Sequence, residues 1–247
     1  MRAVCAGMGD EKPEADPEAL SLFLWYRYTP SPYTAVKSVS KLAPGTKLVL
    51  QDGACEVRRW YNFSPTQFSP PKNIAEAGEE LLDLYRKAVR RQLMSDVPLG
   101  LLLSGGIDSG LLLALMNENG TDWPTYTVGY GESYSDDELA DAEETARILK
   151  SRRTSVRITS AIFEQELSSI VGSLEEPIAT SSIVPMYFVC KRAREDVKVC
   201  LVGQGPDELF GGYRRHLYAR YGATWAALPR LARMPLERAI AALPRNE

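Results

Sequence analysis

One histidine, His216, occurs in 247 residues. That scarcity excludes His-rich zinc sites, and any Ser–His or Cys–His catalytic arrangement would have to use this single residue. Cysteine is scarce too. Cys5, Cys55, Cys190 and Cys200 show no CxxC spacing and read as free thiols of a reducing cytosol rather than as a disulfide framework. A basic excess is missing: 29 Lys and Arg stand against 32 Asp and Glu, a net charge of −3. The arginines come as short pairs at 90–91, 152–153 and 214–215, so no stripe is present to neutralise a nucleic-acid backbone. The charged start (Arg2, Asp10, Glu11, Lys12) has no apolar region of a signal peptide. Residues 97–116 form a long apolar run with one formal charge, Asp108, but SGGIDSG at its middle is a poor centre for a membrane helix. No membrane span is expected, and the protein is expected in the cytoplasm.

What is present is an ordinary globular composition, 45% hydrophobic and 25% charged. The length allows one large domain, or a domain with an appendage, able to bury a core without disulfide or metal staples. Residues 1–72 read as a broken connector. An aromatic-rich run at 20–28 stops at Thr29-Pro30-Ser31-Pro32, and strand-like stretches at 46–51 and 54–60 flank Asp52-Gly53, a pair suited to a type I′ hairpin turn. From Asn73 the pattern alternates. It predicts helices over 74–95, 107–117, 136–150, 161–172 and 184–195, and strands over 99–103, 125–130, 155–159 and 197–202, with Asn73 as an N-cap. Such alternation predicts the α/β class, a parallel sheet with helices on both faces.

Ligands of such sheets sit at the carboxyl ends of strands. The two most unusual loops fall there: SGGIDS at 104–109 and GQGPDELFGGY at 203–213. In the first, Gly105 and Gly106 admit a ligand close to the backbone, and the following helix start offers N–H donors and a positive dipole end, with the Ser104 and Ser109 hydroxyls beside them. That suits phosphate, yet no GxxxxGK[ST] is present. Asp108 would repel phosphate directly, so it implies a bridging cation, most simply Mg²⁺. Asp207 in the second loop supplies a matching carboxylate. The plainer alternative for both loops is a tight turn whose glycines serve packing.

SGGIDS resembles the pyrophosphate loop of the N-type ATP pyrophosphatases, and GQGPDELFGGY resembles the second signature of the asparagine synthetase family. RQLMSDVPLGLLLSGGIDSG, TYTVGY, LEEPIATSSIVPMY and WYRYTPSPYTAVKSVSKLAPG are similar to that family as well, so the resemblance covers roughly 18–220. It implies a parallel, Rossmann-like sheet of the adenine nucleotide alpha hydrolase type over 73–247, preceded by a connector left from an N-terminal glutaminase domain. The implied reaction is adenylation of the aspartate side-chain carboxylate by ATP with Mg²⁺, then displacement of AMP by ammonia from a glutaminase domain or partner, giving asparagine. Carried over residue by residue, Leu103, Val128, Val202 and Gly203 would contact the adenosine. Ser104, Gly105, Gly106, Asp108 and Ser109 would cradle the pyrophosphate, Asp108 and Asp207 would hold Mg²⁺, and position 204 would assist the amine. No nucleic-acid or membrane partner is implied, and a homodimer is left open.

The chain departs from the family in three places. Met1 is followed by Arg2 and Cys5 is not terminal, so the N-terminal glutaminase cysteine is missing; Gln204 stands where the family has Glu and lacks a useful pKa for general-base work; and the chain stops at Glu247, short of a family basic residue, which suggests truncation at both ends. A sibling that adenylates another carboxylate, as β-lactam synthetases do, and a non-catalytic nucleotide-binding module are the alternatives. Arg152-Arg153, where the family often has two histidines, read as a surface difference. His216 reads as exposed, Cys190 and Cys200 as buried small hydrophobes, Trp25, Tyr26 and Tyr28 as interdomain packing, and Tyr213 as a neighbour of the nucleotide.

Overall fold

A computed structural model describes residues 1–9, 12–64, 73–130 and 139–241. The first elements are α1 (Arg2–Gly7), α2 (Pro17–Tyr26), β1 (Thr46–Gln51) and β2 (Ala54–Arg59). The aromatic run is the second half of α2, whose start carries its own signals. The Asp16 side chain accepts from the Glu18 and Ala19 N–H groups, with Pro17 in the first turn. Trp25 and Tyr26 stand exposed on it. The hairpin forms as expected, antiparallel from Thr46↔Arg59 to Gln51↔Ala54, with φ of 51° at Asp52 and 78° at Gly53, the two positive values a type I′ turn requires.

Next come α3 (Ile74–Gln92), β3 (Leu99–Leu102), α4 (Ile107–Asn117), β4 (Pro124–Gly129), α5 (Leu139–Ile148), β5 (Arg152–Arg157), α6 (Ser160–Ser173), α7 (Ile183–Ala193) and β6 (Val199–Val202). The chain continues as α8 (Pro206–Phe210), α9 (Arg214–Ala227) and α10 (Arg230–Ala241). The helix expected from 136 is seen from Leu139; residues 136–138 lie outside the described residues. Asn73 caps α3, its Oδ1 accepting from Glu76 N at 2.9 Å. Asn73→Ala is expected to cost about 1 kcal/mol of stability, read by denaturant unfolding.

The strand expected at 155–159 runs instead over β5, three residues earlier. Its arginines belong to it because β5 is an edge strand, where polar side chains meet solvent. Arg153 is accordingly no mere surface residue. Its side chain is mostly buried and pairs with Glu143 at 3.1 Å, tying β5 to α5.

The sheet is parallel with order β5-β4-β3-β6. Side chains alternate across it. Leu101 and Leu103 enter a core with Val89, Leu113, Leu115, Met116, Ala142 and Ala146 from α3, α4 and α5. Leu102 and Val128 face the other way, toward Val189 and Ala193 of α7. Three layers result, helices–sheet–helices, as the alternation predicts. At Gly100 any Cβ would lie 3.0 Å from both Pro124 O and Tyr126 Cε2, so a side chain there would part the strands. Tyr126 is buried and donates to Asp196 Oδ2 at 3.0 Å. Burial first, then that acceptor, pushes its phenol up to about 12.

Order and direction together locate the site. After β3 the chain adds β4 and β5 on one side, then returns to lay β6 on the other. The sense of progression reverses between β3 and β6, and ligands of open parallel sheets bind outside the carboxyl ends at such a point.

Candidate active site

Both unusual loops leave the sheet at that reversal. Leu103 extends β3 by donating its N–H to Tyr126 O at 2.9 Å, while its side chain is turned into the α3–α5 core. A ligand above it can therefore meet only its main chain. Val128 is likewise packed on the α6–α7 face.

The serines fold the loop itself. Ser104 N donates to Ser109 Oγ at 3.1 Å, the two Oγ atoms are 3.0 Å apart, and Ser109 Oγ lies 3.1 Å from the carbonyl oxygens of Ser104 and Gly106. Gly106 N donates to Ser104 Oγ at 3.2 Å. Ser109 is 3% exposed, so its hydroxyl acts as an internal brace rather than an outward donor. Gly106 is the N-cap of α4 and adds no side-chain cap. What the loop presents outward is the uncapped first turn of an eleven-residue helix, which carries the positive end of its dipole.

Gly203 brings the second loop against this turn. A Cβ built on it would lie 2.7 Å from Ser109 N and 3.0 Å from Ser109 Cα. Only glycine permits that approach. Asp108, Val202, Gly203 and Gln204 then line one small cavity of about 150 Å³ together with α3 and α4 side chains. Asp108 is half-buried, Gln204 and Val202 more exposed. Gly205 has φ of 129°, a value that suits glycine alone, and it starts α8. Asp207 lies in the first turn of α8, folded over Gly212, where a Cβ would collide with its Oδ1. The turn is closed by Tyr213, whose hydroxyl donates to Glu208 Oε1 at 2.7 Å. That bond holds Glu208 below the usual carboxylate range and raises the Tyr213 phenol. Tyr213 thus braces the signature loop.

Several lone residues differ from expectation. His216 is half-buried, 5.5 Å from the Tyr213 ring, because α9 turns it back under the loop. Its Nδ1 is buried without a hydrogen-bond partner among the described residues. Cys190 is exposed and Cys200 only half-buried, since α7 turns the first outward and β6 is a sheet edge. All four cysteines are free thiols. No helix among the described residues is long and apolar enough to cross a membrane.

One feature escaped the sequence. A larger cavity, about 480 Å³, opens at the carboxyl ends of β4 and β5, walled by Tyr130, Ile158, Phe163, Ser181 and Val184 among others. The strand-end rule that picked out the glycine loops points there equally, but these residue types carry no motif.

Residues 80–246 match the family model described as asparagine synthase. The chain belongs to the asparagine synthase family. Among its relatives, glutamine-hydrolyzing asparagine synthetase 1 of Bacillus subtilis (strain 168) is 35% identical over 203 residues, covering 81% of this chain and 31% of the relative. The glutamine-hydrolyzing asparagine synthetase of Zea mays is 33% identical over 173 residues, covering 64% of this chain and 28% of the relative. Asparagine synthetase B of Escherichia coli (strain K12) is 27% identical over 194 residues, with 72% and 34% covered. The chain therefore spans about a third of the length of these members of the asparagine synthase family.

Proposed function

We propose that this chain carries the ATP-using half of an asparagine synthetase-type reaction in the cytoplasm. An oxygen of the aspartate side-chain carboxylate attacks the α-phosphorus of ATP, the bond to the β-phosphate breaks, and pyrophosphate leaves. Ammonia then attacks the acyl carbon, the bond to AMP breaks, and a proton is lost as asparagine forms. The observation that carries this reading is the contact between Gly203 and the first turn of α4. It brings together two loops that differ in sequence position by about a hundred residues, at the place where parallel sheets bind ligands, and so supports reading them as one anion cradle.

The donor set fits Mg²⁺. Asp108 lines the cavity from the first turn of α4, Asp207 stands in the first turn of α8 with its carboxylate against Gly212, and no cluster of three or more His, Cys, Asp or Glu capable of holding a metal occurs among the described residues. Two carboxylates suit an ion that keeps its waters and takes its remaining ligands from phosphate. Bound there, Mg²⁺ would neutralise charge building on the leaving pyrophosphate. The α4 turn would hold the same oxygens through its N–H groups, and Leu103 and Val128 would contact the adenosine. The names of the relatives support glutamine hydrolysis as the source of ammonia.

Release of AMP and pyrophosphate from Mg·ATP, with aspartate and ammonium supplied, tests the proposal. Aspartate-dependent release upholds it. Release that ignores aspartate redirects it to another carboxylate, and ATP binding without release reduces the chain to a nucleotide-binding module. Gln204 lines the cavity beside Asp108 as an amide that cannot take a proton from the amine. Gln204→Glu is expected to speed ammonium-dependent discharge of the adenylate by roughly a hundredfold, with pyrophosphate release little changed, as followed by rapid quench.

A further inference from the structure

The stretch 174–182 between α6 and α7 is tied to the N-terminal segment at several points. Ala179 N donates to Arg27 O at 2.8 Å, and Tyr28 pairs with Ile178 as an isolated antiparallel bridge. Glu175 accepts from Arg2 N at 2.9 Å. At the centre stands Lys41. Its ammonium lies 2.9 Å from Glu176 Oε2, an ion pair without hydrogen-bond alignment, and donates to Thr29 O at 2.5 Å. Thr29 is 3% exposed, and the Lys41 and Glu176 side chains are 34% and 21% exposed. Among the described residues several other ion pairs join side chains that are both more than half exposed, whereas Lys41–Glu176 is one of the least exposed pairs. An exposed pair adds little order, whereas a half-buried one leaves an uncompensated charge when broken.

The stretch so fixed runs directly into Ser181 and Val184, two walls of the 480 Å³ cavity. Val184 also packs in one cluster with Ile158, Phe163 and Val128, so that wall and the candidate adenosine contact share a core. No charged side chain lines the cavity among the described residues, and its size is that of a small-molecule site. Adjacent strands lie about 4.8 Å apart. A nucleotide with its phosphates between β3 and β6 would thus reach β4 and β5 with its uncharged nucleoside end.

We propose that Lys41, acting through Glu176, is a positioning residue for the nucleoside: it pins 174–182 against the N-terminal segment and so sets the wall of the cavity that receives it. The proposal rests on the phosphate site of the preceding section. Lys41 touches no reacting atom, and its effect travels only through that wall.

The test measures calorimetric affinities of the full chain for two separate probes, adenosine and Mg·pyrophosphate. Lys41→Met is expected to weaken adenosine about tenfold and to leave Mg·pyrophosphate unchanged. Lys41→Arg, which keeps the charge, is expected to restore adenosine affinity to within about twofold. Asp108→Ala should do the reverse, weakening Mg·pyrophosphate and sparing adenosine. Unchanged adenosine affinity in Lys41→Met overturns the proposal, as does equal weakening of both probes, which would mark a general loss of structure. Failure of Asp108→Ala to weaken Mg·pyrophosphate would instead overturn the phosphate site, a result distinct from either.

Discussion

Asp108→Ala is expected to lower Mg·ATP-dependent pyrophosphate release by about a hundredfold to a thousandfold. Among the described residues the Asp108 carboxylate has no hydrogen bond or ion pair, although it sits half-buried in the lining of the small cavity. Its one structural benefit is the favourable place of an anion in the first turn of α4, worth about 0.5 kcal/mol. Stability and activity should therefore separate. The thermal midpoint should move by no more than a few degrees while turnover collapses. Asp108→Asn should resemble Asp108→Ala in rate, since it keeps the shape but not the charge that draws the cation. Near-normal turnover in either variant would remove Asp108 from the metal site.

Gly203→Ala should act through geometry instead. The new methyl would meet the Ser109 backbone at 2.7 Å, and backbone, unlike a side-chain tip, cannot swing aside. The two loops must part, at a cost of about 1–3 kcal/mol for forced overpacking. Nucleotide affinity should fall further than that strain implies, because the proposed cradle depends on the contact between the loops. Gly172 supplies the comparison: in α6, with open space around it, Gly172→Ala should stabilise by about 0.5–1 kcal/mol. Equilibrium unfolding and nucleotide titration of the two variants, side by side, check both signs.

Local chemistry was legible in the sequence wherever a residue acts on its near neighbours. Asn73 as cap, Asp52-Gly53 as turn and the start of α4 at Ile107 each follow from a few adjacent residues. Asp16-Pro17-Glu18 was equally readable as the start of α2, but proline-rich surroundings disguised it. The register of β5 failed for a different reason. Arg152-Arg153 look like loop, and only their place on a sheet edge, which depends on partners far along the chain, makes them strand. The candidate site divides in the same way. Its glycines and carboxylates announce themselves by composition. The inward turn of Ser109, the contact of Gly203 with α4 and the pairing of Lys41 with Glu176 depend on distances in space that no local pattern encodes.

The strand order carries a consequence for the history of each molecule. β3 first pairs with β4, its close successor, but waits for β6, which arrives roughly a hundred residues later and therefore at a large loop-closure cost. Until β6 docks, only one of the two loops of the proposed cradle is in place. β6 is a short edge strand with Val199 and Val202 partly open to solvent, so it is exposed to local opening. A ligand clasped between the loops after β3 and β6 would hold that last seam shut, slowing its amide hydrogen exchange and protecting it from proteolysis in proportion to occupancy. The chain's kinetic durability would then follow the supply of the molecule it binds.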